Sequence, residues 1–264
     1  MQDLRADWMG EGAPRFGVSK VPEVTAAFWV AKVLTTGMGE TLSDFLVHQF
    51  DPPLAIAAAG LVFAGALALQ LLVARYIPWV YWLAVVMVSV FGTMVADILH
   101  VGLGVPYVVS TVAFAALLGL IFGLWQWSEK TLSIHSITSF RREAFYWAAV
   151  LITFALGTAA GDMTATTLGL GYFASGVLFA LLIAVPAIAF ARFGLNAIAA
   201  FWIAYILTRP LGASFADWMG VPPVRAGLGL GTGPVSLVLA VLIALLVGYL
   251  SIAEGRAGEE RTAS

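Results

Sequence analysis

The sequence has no cysteine, so a disulfide framework, a thiolate metal site and a cysteine nucleophile are all excluded. Charge is scarce as well: Asp, Glu, Lys and Arg make up 11% of the chain, against roughly 25% in a soluble domain. There is no basic run, and a net charge of −2 offers nothing to a nucleic acid. No Gly-rich phosphate loop ending in Lys-Ser/Thr, no HExxH and no Gly-x-Ser-x-Gly nucleophile elbow occurs. Nor is any polar stretch long enough to form a nucleotide-binding domain. The chain is therefore expected not to be an enzyme and to need no cofactor.

What fills the sequence instead is apolar: 61% of the 264 residues are hydrophobic, and the mean hydropathy is +0.96. A helix needs about 20 apolar residues to cross the hydrocarbon core. Breaks at Asp51-Pro52-Pro53, between Arg75 and Pro78, at Gly104-Val105-Pro106 and at Gly220-Val221-Pro222-Pro223 help to delimit eight such helices. They are predicted at 24–47, 54–74, 78–101, 106–127, 143–168, 172–191, 195–218 and 234–253. The fold class is thus all-α and polytopic, a single transmembrane domain over 23–253 with the lipid bilayer as its partner. Residues 1–22 (with Asp3, Arg5, Asp7, Glu11, Arg15 and Lys20) form a polar segment without the apolar core of a signal peptide. Residues 254–264 form a charged tail, and 128–143 a solvated connector between two halves. Arg5, Arg15, Lys20, Arg75, Lys130, Arg141, Arg142, Arg192, Arg256 and Arg261 fall on one side of the membrane, and Arg225 alone on the other. An excess of Lys and Arg marks the cytoplasmic side, which predicts that both termini are cytoplasmic.

A fixed pattern recurs four times. Phe28-Trp29, Tyr81-Trp82, Tyr146-Trp147 and Phe201-Trp202 each open a copy, over about 23–75, 76–128, 142–192 and 195–253. Two residues after each Trp stands an alanine (Ala31, Ala84, Ala149, Ala204), and ten after it a glycine (Gly39, Gly92, Gly157, Gly212). Fifteen after it stands an aspartate: Asp44, Asp97, Asp162, Asp217. Each copy spans the bilayer twice, so all four share one orientation and a pseudo-symmetry axis near the membrane normal. This differs from the inverted repeats of many transporters. The odd-numbered helices, richer in small and polar residues, are expected inside, because small residues let backbones approach closely in lipid. On these Trp, Gly and Asp positions the chain resembles a bacterial membrane family of four tandem two-helix repeats of unknown function, its members labelled uncharacterised membrane-anchored proteins. The resemblance covers about 20–253 and implies a multi-pass protein of the bacterial inner membrane. It implies no substrate.

At 1.5 Å per residue, Trp and Asp of one copy lie roughly 22 Å apart along the axis. With Trp near the cytoplasmic headgroups, each Asp sits in the outer third of the bilayer. A charge in the membrane is costly and marks a functional site by default. Four-residue steps place one stripe of each helix in register: Lys32, Thr36, Glu40, Asp44; Val85, Ser89, Thr93, Asp97; Val150, Phe154, Thr158, Asp162; Tyr205, Arg209, Ala213, Asp217. The copies differ at Lys32, Glu40 and Arg209. Candidate ion- or substrate-binding residues are therefore Lys32, Thr36, Glu40, Ser43, Asp44, Asp97, Asp162, Arg209 and Asp217, with Glu40 and Asp44 as candidate ligands of a hard metal ion. Lys32 or Arg209 would neutralise the carboxylates when no cation is bound, or form structural pairs with them. His100 near Asp97, and His48 near Asp44, are weaker candidates. The expected function is a secondary or channel-like permease for a small cation, a divalent metal ion coupled to protons. Alternatives are a permease for a small organic solute or anion, an intramembrane hydrolase using two aspartates, and an assembly or sensor protein.

Overall fold

The computed structural model describes residues 19–263. The polar segment read at 1–22, with Arg5 and Arg15, lies outside the described residues up to position 18. Eight α-helices follow: α1 Ala26–Gln49, α2 Pro52–Leu72, α3 Pro78–Asp97, α4 Tyr107–Glu129, α5 Phe140–Asp162, α6 Gly171–Phe193, α7 Ala197–Gly220 and α8 Thr232–Ala263. Among the described residues there is no strand. The predicted spans agree within about four residues at every boundary, except that the fifth runs past the end of α5 to 168 and that α8 continues past 253. The punctuation acts as capping chemistry. Thr25, Asp51, Ser139 and Asn196 each accept a backbone N–H in the first turn of α1, α2, α5 and α7. Gly194 closes α6 in the left-handed conformation.

Seven helices are long and apolar enough to cross a membrane. The exception is α1, whose Lys32, Glu40 and Asp44 dilute its hydropathy. That helix is tolerable only inside, and that is where it lies. The odd helices form a closed ring, α1 against α3, α3 against α5, α5 against α7 and α7 against α1. Each even helix leans on the odd helix of the following repeat: α2 on α3, α4 on α5, α6 on α7, and α8 back on α1. Between 50% and 67% of the span is buried in α3, α5 and α7, against 22% in each even helix. The repeat is therefore a structural unit only in company, since its second helix covers its neighbour.

At the Trp end the connector after α4 is anchored rather than freely solvated. Ile134 and Ile137 are buried, Trp202 donates to Leu132 O at 3.0 Å, and Arg142 binds Glu129 at 2.9 Å. The chain before α1 is tied here too. Lys20 Nζ lies 2.5 Å from Glu143 Oε2 and donates to Leu71 O at 3.1 Å, while Gln70 donates to the other Glu143 oxygen at 3.0 Å. Removing one partner of a buried pair leaves an uncompensated charge. Lys20→Ala should therefore cost about 3 kcal/mol, seen as a lower melting temperature of the purified protein. An unchanged melting temperature would mean that the pair does not hold this segment.

Candidate functional site

Two of the residue types shared by all copies, Trp and Gly, turn out to join each copy to the next. The aromatic before each Trp packs on the Trp of the following repeat: Phe28 on Trp82 at 5.8 Å, Tyr81 on Trp147 at 5.7 Å and Tyr146 on Trp202 at 6.2 Å between ring centroids. Phe201 closes the circle on Trp29 at 5.7 Å. Tyr81 and Tyr146 also share a hydroxyl contact of 2.5 Å inside this belt. The glycines follow the same cycle. A Cβ on Gly39 would collide with Ser89, on Gly92 with Phe154, on Gly157 with Arg209 and on Gly212 with Thr36. Each glycine thus accommodates the residue seven after the Trp of the next repeat, a sequence-equivalent position in all four copies.

The stripes at four-residue spacing consequently stack as layers along the axis of the ring. Above the aromatic belt lie Lys32, Val85, Val150 and Tyr205, all buried. Thr36, Ser89, Phe154 and Arg209 come next, also buried. The layer of Glu40, Thr93, Thr158 and Ala213 follows. The axis is filled through these layers.

Arg209 dominates the middle. Its side chain is 0% exposed, and its Nη2 lies 2.6 Å from Glu40 Oε2. The same nitrogen donates to Thr158 Oγ1 at 2.7 Å and to Thr93 Oγ1, while Nη1 donates to Thr36 O at 2.7 Å. Thr36 Oγ1 in turn donates to Thr208 O at 3.1 Å. One guanidinium therefore joins all four inner helices. A buried fork of this kind suits arginine, whose planar donors bind several acceptors at once. Lys32 takes no carboxylate. Its Nζ lies 3.9 Å from the centre of the Phe154 ring and 4.2 Å from that of Tyr205, with no hydrogen-bond partner among the described residues. Between the two pairings left open for Glu40, the geometry selects Arg209.

Beyond Glu40 the axis opens into a cavity of about 550 Å³. Glu40, Asp44, Asp97, Asp162 and Asp217 all line it, with His48, Tyr107, Tyr172 and Arg225. Its mouth carries Arg225, bound to the Tyr172 hydroxyl at 2.7 Å. Asp97 and Asp162 each end the regular helix, and a π-helical turn follows at Ile98–Gly102 and Met163–Thr167. No such turn follows Asp44 or Asp217, so the fourfold pattern resolves into two pairs of unlike copies.

Among the candidates, then, the structure brings Glu40 and the four aspartates to one cavity, and Arg209 and Thr36 to the layer beneath. Ser43 is buried outside the cavity lining. His48 Nδ1 meets Asp44 O at 2.6 Å. His100 is held away from any ligand role with Asp97: Nδ1 meets Val105 O at 3.1 Å, Nε2 meets Ser110 Oγ at 3.3 Å, and its ring lies on Tyr107. Among the described residues, no group of three or more His, Cys, Asp or Glu side chains is placed to hold one metal ion. Sequence reasoning missed the cavity's Arg225 and tyrosines. The lone basic residue on its side of the membrane was the available signal.

This ring of four two-helix repeats around a filled, charged axis defines a multi-pass helical membrane protein. Residues 27–76, 80–131, 145–195 and 200–256 match the Repeat of Unknown Function (DUF347), and the chain belongs to that family. Neither curated proteins nor solved structures yield a match.

Proposed function

We propose that the protein is a permease for a small cation. The single observation that carries this reading is the convergence of five carboxylates, at least one from every repeat, on one cavity. The backbone adds to their effect. All four inner helices run in one direction, so the cavity lies at their C-terminal ends, where each macrodipole is negative. The Lys and Arg distribution orients that cavity outward in a bacterial inner membrane, with both termini cytoplasmic.

The carboxylates are spread around the cavity instead of closing on one point, which suits a cation that keeps part of its hydration shell, as Mg²⁺ commonly does. Glu40 and Asp44 are the inner contacts such a cation would reach, once Arg209 has moved. Because the layers below are filled, passage requires rearrangement, and we assign a transporter cycle in preference to an open channel. Pro210, inside α7 and next to Arg209, lacks the N–H that would continue the helix ladder. It is a natural point for α7 to bend. A permease for anions or organic acids is less well supported: Arg209 already has a carboxylate, and Lys32 is enclosed by rings.

The test is flux. Protein reconstituted into liposomes should carry at least one of Na⁺, K⁺, Mg²⁺ or Mn²⁺ down an imposed gradient faster than protein-free liposomes. If none of these ions moves, the reading fails.

A further inference from the structure

The buried axis holds two cations and one carboxylate above the aromatic belt. Arg209 has Glu40 as its partner. Lys32, 1% exposed, has only the faces of Phe154 and Tyr205. Three ammonium donors without an acceptor are unusual, since buried polar groups are hydrogen-bonded with few exceptions. A structural lysine could have been matched by any carboxylate on a neighbouring helix, and none is offered. Arg209 and Tyr205 face it from α7, the layer below holds the Tyr81 and Tyr146 hydroxyls, and Glu40 lies about 12 Å further along α1. The flanking helices add nothing: α2 carries no ionisable side chain, and α8 has none before Tyr249 among its transmembrane residues.

We propose that Lys32 is the proton-coupling residue, which makes the protein a cation/proton antiporter. This deepens the permease reading above and rests on it. A cation that enters the cavity and binds Glu40 displaces the guanidinium. The displaced Arg209 then shares the closed core with the Lys32 ammonium and no free carboxylate. Arginine keeps its proton under all ordinary conditions, whereas a buried lysine is the side chain that gives one up. The N–H bond of Lys32 therefore breaks, the electron pair stays on Nζ, and the proton passes to water in the cavity from which the cation came. After the cation has left at the other end, Lys32 takes up a proton from that side. A second cavity of about 1000 Å³ approaches from the Trp end as far as Val33 and Thr208, the chain neighbours of Lys32 and Arg209. One proton moves outward for each cation moved inward, and the reverse.

The experiment uses proteoliposomes with a pH-sensitive dye inside, and whichever of Na⁺, K⁺, Mg²⁺ and Mn²⁺ the wild type carries. Wild type should show proton counterflow, and its apparent cation affinity should rise about tenfold per pH unit, as linkage requires for one proton exchanged per ion. Lys32→Met should carry the cation with no proton counterflow and a flat pH dependence. Lys32→Arg, which keeps a fixed charge, should lose flux at every pH. A Lys32→Met protein that still exchanges protons for cations overturns the proposal, as does a Lys32→Arg protein with wild-type coupling. A wild type that carries the ion without proton counterflow overturns this inference alone, whereas a wild type that carries no ion overturns the permease reading. Proton release on cation binding, followed in weakly buffered detergent solution, repeats the comparison for a variant that reconstitutes poorly.

Discussion

Glu40→Gln and Arg209→Gln should each cost about 3–5 kcal/mol of stability, while the double variant recovers most of that loss and still moves no cation. The reason is the asymmetry of buried charge. The pair, once formed, offsets its own desolvation. One member alone leaves an ion in the centre of the ring with nothing to balance it. Removing Arg209 also strips a donor from Thr93 and Thr158 and from the Thr36 carbonyl, so its loss loosens contacts among all four inner helices. Removing both charges leaves the net charge of the core as it was, with no half of an ion pair stranded in layers that are otherwise well filled. Thermal unfolding of the two single variants and the double variant gives the coupling energy, and flux in the same preparations separates fold from function. Additive losses in the cycle would show that the pair is not the unit. Wild-type flux in the double variant would remove Glu40 from the transport path.

Much of this arrangement was legible in the sequence because the repeat is written there four times. The Trp, Gly and Asp spacings fix the helix phase, and the four-residue stripes containing Lys32, Glu40 and Arg209 already name the layers. What could not be read was which copy touches which. The offset of each even helix onto the next repeat, and the packing of Phe28 on Trp82, are contacts between segments distant in sequence, where periodicity within one helix carries no information. The partner of Glu40 was undecidable for the same reason, as Lys32 and Arg209 both lie on inward stripes. Lys20 was read as part of a polar segment although it closes a buried pair with Glu143. Gln70, the one polar side chain late in the apolar run of α2, was the clue to that pair. His100 looked like a ligand because it follows Asp97, but the π-helical turn between α3 and α4 redirects its ring to Val105 and Ser110.

Neutralising the four aspartates should lower cation entry stepwise, and a fourfold Asp→Asn variant should lose about three orders of magnitude. Asp44, Asp97 and Asp162 are half-buried around the cavity and Asp217 is buried in its wall; with the arriving ion hydrated, each acts on it at high effective dielectric. A unit charge roughly 4 Å away in that environment contributes about 1 kcal/mol, or about fivefold in local ion concentration. Four such contributions multiply to about 10³, within the range by which charged clefts raise local counter-ion concentration. Arg225, which lines the same cavity, should act with the opposite sign: Arg225→Gln should speed cation entry by a similar factor of about five. The measurement is initial flux against ion concentration at low and high ionic strength. Screening should compress every one of these differences, because the Debye length falls to about 3 Å at 1 M salt. For an anion permease each sign reverses, Asp→Asn raising flux and Arg225→Gln lowering it. If all four neutral variants leave the flux unchanged, the aspartates hold the ends of the inner helices and do not attract the ion. In that case the recurring carboxylate belongs with the recurring Trp and Gly, as part of how one repeat is joined to the next.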